Sequence, residues 1–211
     1  MTYVRDTVAL ARKDLLLELR ARDTLPAMLV FVVAMLVVFR FALPDASDRA
    51  ALGLLWVAIL FTALLGLARA FVPEREQGVL DGLVLAPVDR STIWLGKVVA
   101  LLAFLGAAEI VALAAHQLFF DRLSWETYAA VALADVGICT VGAILAAMAV
   151  AGRARELLLP LLFLPLAIPL LVGGVGAGVS DDPGRYLAFL GLYDGVFAIL
   201  AWAGFEYVVT E

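Results

Sequence analysis

Leu25-Pro-Ala-Met-Leu-Val-Phe-Val-Val-Ala-Met-Leu-Val-Val-Phe-Arg-Phe-Ala-Leu43 is a run of 19 residues with one charge. As a helix it is long enough to cross about 30 Å of hydrocarbon. Five more such runs follow, at 50–68, 98–120, 127–152, 157–180 and 186–205. With 64% hydrophobic and 17% charged residues and a mean hydropathy of +1.03 over 211 residues, the chain is too apolar for a water-soluble domain. In lipid a backbone must satisfy its own hydrogen bonds, and runs of this length do so as helices. The sequence therefore predicts an all-α integral membrane protein: an amphipathic helix within residues 1–24, then one domain of six transmembrane helices over 25–211.

The connecting pieces exclude several kinds of chemistry. The longest, residues 69–97, has 29 residues, too few for a catalytic domain. There is no Gly-x-x-x-x-Gly-Lys-Ser/Thr loop, no His-Glu-x-x-His and no paired Cys motif, and the chain has one Cys and one His in all. No catalytic residue, metal site or resident cofactor is expected, and no nucleic-acid partner. Cys139 falls inside an apolar run and reads as a small packing residue.

The net charge of −5 says less than the placement of the cations. Arg5, Arg12, Lys13, Arg20, Arg22, Arg69, Arg75, Arg90, Lys97, Arg153 and Arg155 fall on the side of the termini. Arg40, Arg49, Arg122 and Arg185 fall on the other, a split of eleven against four. The positive-inside rule then puts both termini in the cytoplasm. The charged first 23 residues, followed by a membrane-length run, carry no cleavable-signal pattern, so the chain is expected to be retained whole.

The stretch 2–23 lacks Pro and Gly and spaces Val4, Val8, Ala11, Leu15 and Leu19 along one helical face, with Glu18 and Arg22 at i,i+4 spacing. It reads as an interfacial helix whose basic residues meet anionic lipid, with Pro26 where the chain turns into the membrane. Between the second and third runs, Pro73 and Pro87 bracket a segment able to form a short helix. It bears Glu74, Arg75, Glu76 and Asp81 beside Val79, Leu80, Leu83 and Val84, with Asp89 or Ser91 capping the next helix. Its leucines need a membrane surface or a protein groove, so it is the candidate docking element.

Inside the runs stand Glu109, Asp135 and Asp194, each about 12 to 15 Å below the outer surface by helical rise. They read either as a shared polar cavity or proton-sensitive contact, or as protonated acids hydrogen-bonded between helices. His116, two turns after Glu109, is either an interfacial residue with a satisfied hydrogen bond or an axial ligand. Pro160, Pro165 and Pro169 predict a kinked or broken fifth helix and a place for motion. The glycines at 173, 174, 176 and 178 predict close packing or a re-entrant turn.

Two blocks carry a family resemblance. Glu76-Gln-Gly78-Val-Leu80-Asp81-Gly-Leu83-Val-Leu85-Ala-Pro87 resembles the coupling segment of ABC exporter permeases. Arg155-Glu-Leu-Leu-Leu-Pro160-Leu-Leu-Phe-Leu-Pro165-Leu-Ala-Ile-Pro169-Leu-Leu resembles the fifth span of the haem exporter protein B family, permeases of the cytochrome c maturation transporter. The resemblance covers essentially the whole chain. It implies a permease in the bacterial inner membrane, acting as a homodimer with a separate ABC ATPase that holds ATP and Mg. It also implies a neighbouring haem-handling membrane protein and a periplasmic haem chaperone, with Glu74 to Pro87 as the ATPase coupling element. The chain has no tryptophan-rich haem motif, and one His does not make a bis-histidine site. A permease for a lipid or drug-like substrate and a self-sufficient proton-coupled carrier stand as alternatives.

Overall fold

The computed structural model describes residues 2–76, 78, 89–120, 122–151 and 155–210. The elements are α1 (Thr2–Ala21), α2 (Thr24–Ala42), α3 (Asp48–Arg69), α4 (Val72–Glu76), α5 (Arg90–Phe119), α6 (Trp125–Ala151), α7 (Arg155–Val179) and α8 (Pro183–Thr210), with no strand among the described residues. Among the described residues six helices are long and apolar enough to cross a membrane, one for each run expected from the sequence. The fold is an all-α membrane bundle.

Local chemistry sets the helix ends. Asp89 caps α5, its carboxylate accepting from the Ser91 backbone N–H at 2.9 Å and the Ser91 hydroxyl at 2.6 Å. Ser47 caps α3 by accepting from the Ala50 N–H. The junction of α1 and α2 differs from expectation. Arg22 closes the helix as a left-handed residue at φ 58, its N–H still donating to the Glu18 carbonyl at 2.8 Å, while no ion pair joins the two side chains among the described residues. The Glu18 carboxylate instead accepts from the N–H groups of Thr24, at 2.6 Å, and Leu25, at 3.0 Å. The last turn of α1 thus satisfies the open donors at the start of α2.

α6 packs on α7 and α8, and α3 on α2, α5 and α7. α3 and α6 are the most enclosed helices, α2 and α8 the least. The prolines of α7 do not break it: the helix runs unbroken through Pro160, Pro165 and Pro169 to Val179. The glycine run continues the helix rather than turning back, because α7 is pressed against its neighbours there. A Cβ at Gly174 would lie 2.1 Å from the Trp56 ring of α3, so only glycine admits the fully buried indole.

The expected interfacial stripe of α1 faces away from the bundle at Val4, Val8 and Leu19, while Ala11 of that stripe is buried. α1 buries Thr7, Ala11 and Asp14 against α5 and leaves Val4, Val8, Leu16 and Leu19 exposed. The small face wins because the backbones come close: a Cβ at Gly96 of α5 would lie 2.8 Å from Leu10 Cβ and 3.3 Å from the Thr7 carbonyl oxygen. Of the expected helix between Pro73 and Pro87, only the start lies within the described residues. α4 ends at Glu76, and Gly78 follows at φ 64, with its N–H bonded to the Arg75 carbonyl.

Candidate functional site

α5 has 30 residues, more than the ~20 a span needs, so its first turns reach past the apolar run and carry Lys97 beside α1 and α4. There the Lys97 ammonium lies 2.7 Å from Asp14 Oδ2 and 2.9 Å from Glu74 Oε1. Lys13 completes the group, 2.9 Å from Asp14 Oδ1 and 2.7 Å from the same Glu74 oxygen. Lys97 also sits over the Phe71 ring, 4.8 Å from its centroid. Two cations and two anions from three helices form a neutral quartet, and Glu74 is only 3% exposed within it. Burial pushes the Asp14 carboxyl above the usual carboxylate range, against the opposing pull of Lys97. Burial alone would depress the Lys13 ammonium, but its bonds to Glu74 and Asp14 hold it above the ordinary lysine value.

The quartet makes one mechanical unit of α1, α4 and the start of α5. A buried charge cannot leave its partners without a large desolvation cost, so a displacement of α4 is carried to the other two helices. Tyr3 and Ser91, with hydroxyl oxygens 3.0 Å apart, add a second tie between α1 and α5. Of the coupling residues named from sequence, Glu74 lies at the centre of this unit and Gly78 marks its edge. The Glu76 side chain and Leu80, Asp81, Leu83, Leu85 and Pro87 lie outside the described residues.

Lys13, Asp14 and Lys97 were not visible as a site in the sequence, where the two lysines counted only toward the charge asymmetry. One signal was available: Asp14 shares the i, i+4, i+7 phase of Thr7 and Ala11, a small polar face unlike the apolar stripe beside it.

The three acids within the apolar runs are brought together. Glu109 of α5, Asp135 of α6 and Asp194 of α8 are all buried. Glu109 and Asp135 are neighbours within the bundle, and each keeps a buried carboxyl oxygen that no described group bonds. The Asp194 carboxylate faces Gly137 of α6, with Tyr193 and Leu170 at the same point, and the Tyr193 hydroxyl donates to the Leu166 carbonyl of α7 at 2.7 Å. His116 is not part of this group. It is buried at the other end of α5, its Nε2 3.3 Å from the Ala51 carbonyl oxygen and its ring stacked on Phe120 at 5.0 Å. Among the described residues no group of three or more His, Cys, Asp or Glu is arranged to hold a metal ion.

Six apolar helices, buried charges tying α4 to α1 and α5 at one face, and acids gathered within the bundle define a polytopic helical membrane protein. Residues 5–205 match the CcmB protein family, and the chain belongs to it. Its relatives include heme exporter protein B of Bradyrhizobium diazoefficiens, 32% identical over 80% of this chain and 79% of that protein. The heme exporter protein B of Pseudomonas aeruginosa is 33% identical over 81% and 79%, and that of Paracoccus denitrificans 32% identical over 86% and 88%.

Proposed function

We propose that the chain is the permease subunit of an ABC-type haem exporter of cytochrome c maturation. It stands in the bacterial inner membrane with both termini in the cytoplasm and works as a homodimer beside a separate ATPase subunit. The family match over residues 5–205 supports the haem-export reading, and the eleven-to-four division of cations supports the orientation. The sequence holds no phosphate-binding loop, so the energy comes from ATP and Mg on the partner. Closure of that partner pushes the segment from Glu74 to Pro87. The observation that carries this step is the bond from Glu74 to Lys97, through which the push reaches α5 and, by way of Asp14, α1. Movement of α5 against α6 and of the proline-rich α7 takes the change outward, to release or handover of a haem-loaded periplasmic chaperone beside a haem-handling membrane protein. No residue of this chain is catalytic in that cycle.

Co-purification with the partner ATPase tests the coupling step. Leu80→Asp with Leu83→Asp should abolish association or ATP-driven release, and normal association and hydrolysis would sink it. The gathered acids favour a second reading, a proton-coupled carrier. Transport into vesicles that persists without the ATPase would establish it.

A further inference from the structure

A crevice of about 130 Å³ opens beside the quartet, between α1, α2, α3 and α5. Its polar lining includes Glu18, Thr24 and Arg69, of which Arg69 is exposed at the mouth, and its apolar lining includes Leu17, Ala100, Leu101 and Phe104. Gly66, Leu101 and Phe104 also border a separate, small apolar void against Met28, Leu105 and Ile138. The mouth lies where α2 begins and α3 ends, next to the first charged residue after the second apolar run. That is headgroup depth for a bilayer around these helices.

The polar groups of the lining differ in what they have left to offer. Glu18 is engaged with the start of α2, and Asp14 and Lys97 are engaged with each other. Arg69 is 57% exposed and approaches Asp23 only at 3.8 Å, so a guanidinium with five donors makes one long contact. A planar, delocalised cation with open donors beside an apolar lining matches a phosphodiester joined to an acyl chain. A free phosphate would match the cation and leave the apolar lining bare.

We propose that the crevice binds one phospholipid of the cytoplasmic leaflet, its phosphate on Arg69 and the upper part of one acyl chain on Leu101 and Phe104. The name of the leaflet rests on the orientation proposed above; the site itself does not. The lipid fills the gap between α1 and the end of α3, bracing the quartet from the side that protein leaves open.

The full chain, purified in neutral detergent with its ATPase, is delipidated and the retained phospholipid read by native mass spectrometry. Wild type should keep one lipid per chain. Arg69→Gln should retain about tenfold less, the loss of one charge-assisted contact. Ala70→Trp, which places an indole at the half-buried rim and leaves Arg69 intact, should lose it as well. Unchanged retention in both variants would overturn the proposal, as would displacement by inorganic phosphate alone, the mark of a simple anion site. If Arg69→Gln fails to fold, a phospholipid with a photoactivatable group high on one acyl chain decides. Label on Leu17, Leu101 or Phe104 supports the site, and label spread over outward residues such as Val30 and Ile110 overturns it.

Discussion

The Lys97 ammonium lies 2.7 Å from the Asp14 carboxylate, joining a membrane helix to the amino-terminal helix through two side chains that are each almost fully buried. Because the quartet is neutral only as a whole, removing either one alone leaves an unbalanced charge buried among the rest. The same ammonium holds Glu74, so the start of the coupling segment is attached at this point too.

Lys97→Met should therefore destabilise the chain by about 3–5 kcal/mol, the cost of breaking a buried ionic cluster from one side. Pairing it with Asp14→Leu should recover much of that loss, since matched apolar replacements leave fewer stranded charges. Unfolding in detergent for the two single variants and the double checks the coupling. Additive losses would mean that the pair is not a unit.

Asp89 supports α5 from its first turn. Its two bonds from Ser91 hold the carboxyl below the usual range. A lowered value means its contribution is present above the unfolded value of about 3.9 and is lost as pH falls through the lower folded one. Between pH 5 and pH 3 the wild type should thus lose stability that Asp89→Asn, whose cap does not titrate, keeps. Parallel pH dependence of the two would contradict this. At neutral pH, Asp89→Ala should cost about 0.5–2 kcal/mol as a lost cap.

Gly174 faces the Trp56 ring with no room for a methyl group. Gly174→Ala should destabilise by about 1–3 kcal/mol through overpacking, and Trp56→Leu in the same chain should relieve most of it. The thermal midpoint in detergent reports both, and a neutral Gly174→Ala would show that the helices separate easily.

Glu109 and Asp135 are buried side by side, each with a carboxyl oxygen left without a bond. Glu109→Gln, which keeps a polar group beside Asp135, should leave stability nearly unchanged, whereas Glu109→Leu should cost about 1–3 kcal/mol by surrounding the Asp135 carboxyl with apolar groups. If either single neutralisation, or that of Asp194, also abolishes coupling to the ATPase while folding is intact, the acids act in the cycle. Unchanged coupling in all three leaves them structural.

Much of the bundle was legible in advance because hydrocarbon imposes a one-dimensional rule. Each apolar run from Leu25 to Phe205 became a helix, and the caps at Ser47 and Asp89 are local events of a few residues. The site was legible only in part. Glu74 stood out by its place after the second run, but nothing in its neighbourhood pointed to Lys13, Asp14 or Lys97 as partners. The face of α1 that meets α5 was not legible for a related reason: an apolar stripe is the usual guide to burial, yet on an interfacial helix that stripe serves the membrane. Close approach at Gly96 favoured the small face instead.

By itself, then, the sequence determined the number of membrane helices and their lengths, the concentration of cations on the terminal side and the absence of a phosphate-binding loop. These follow from composition, periodicity and spacing along the chain. The tertiary structure alone decided that Asp14, Glu74 and Lys97 meet, that Glu109, Asp135 and Asp194 gather while His116 stands apart, and that α7 passes unbroken through three prolines. Those outcomes depend on the relative placement and rotation of packed helices, which is set by contacts such as Gly96 with Leu10 and Gly174 with Trp56 between segments far apart in the chain.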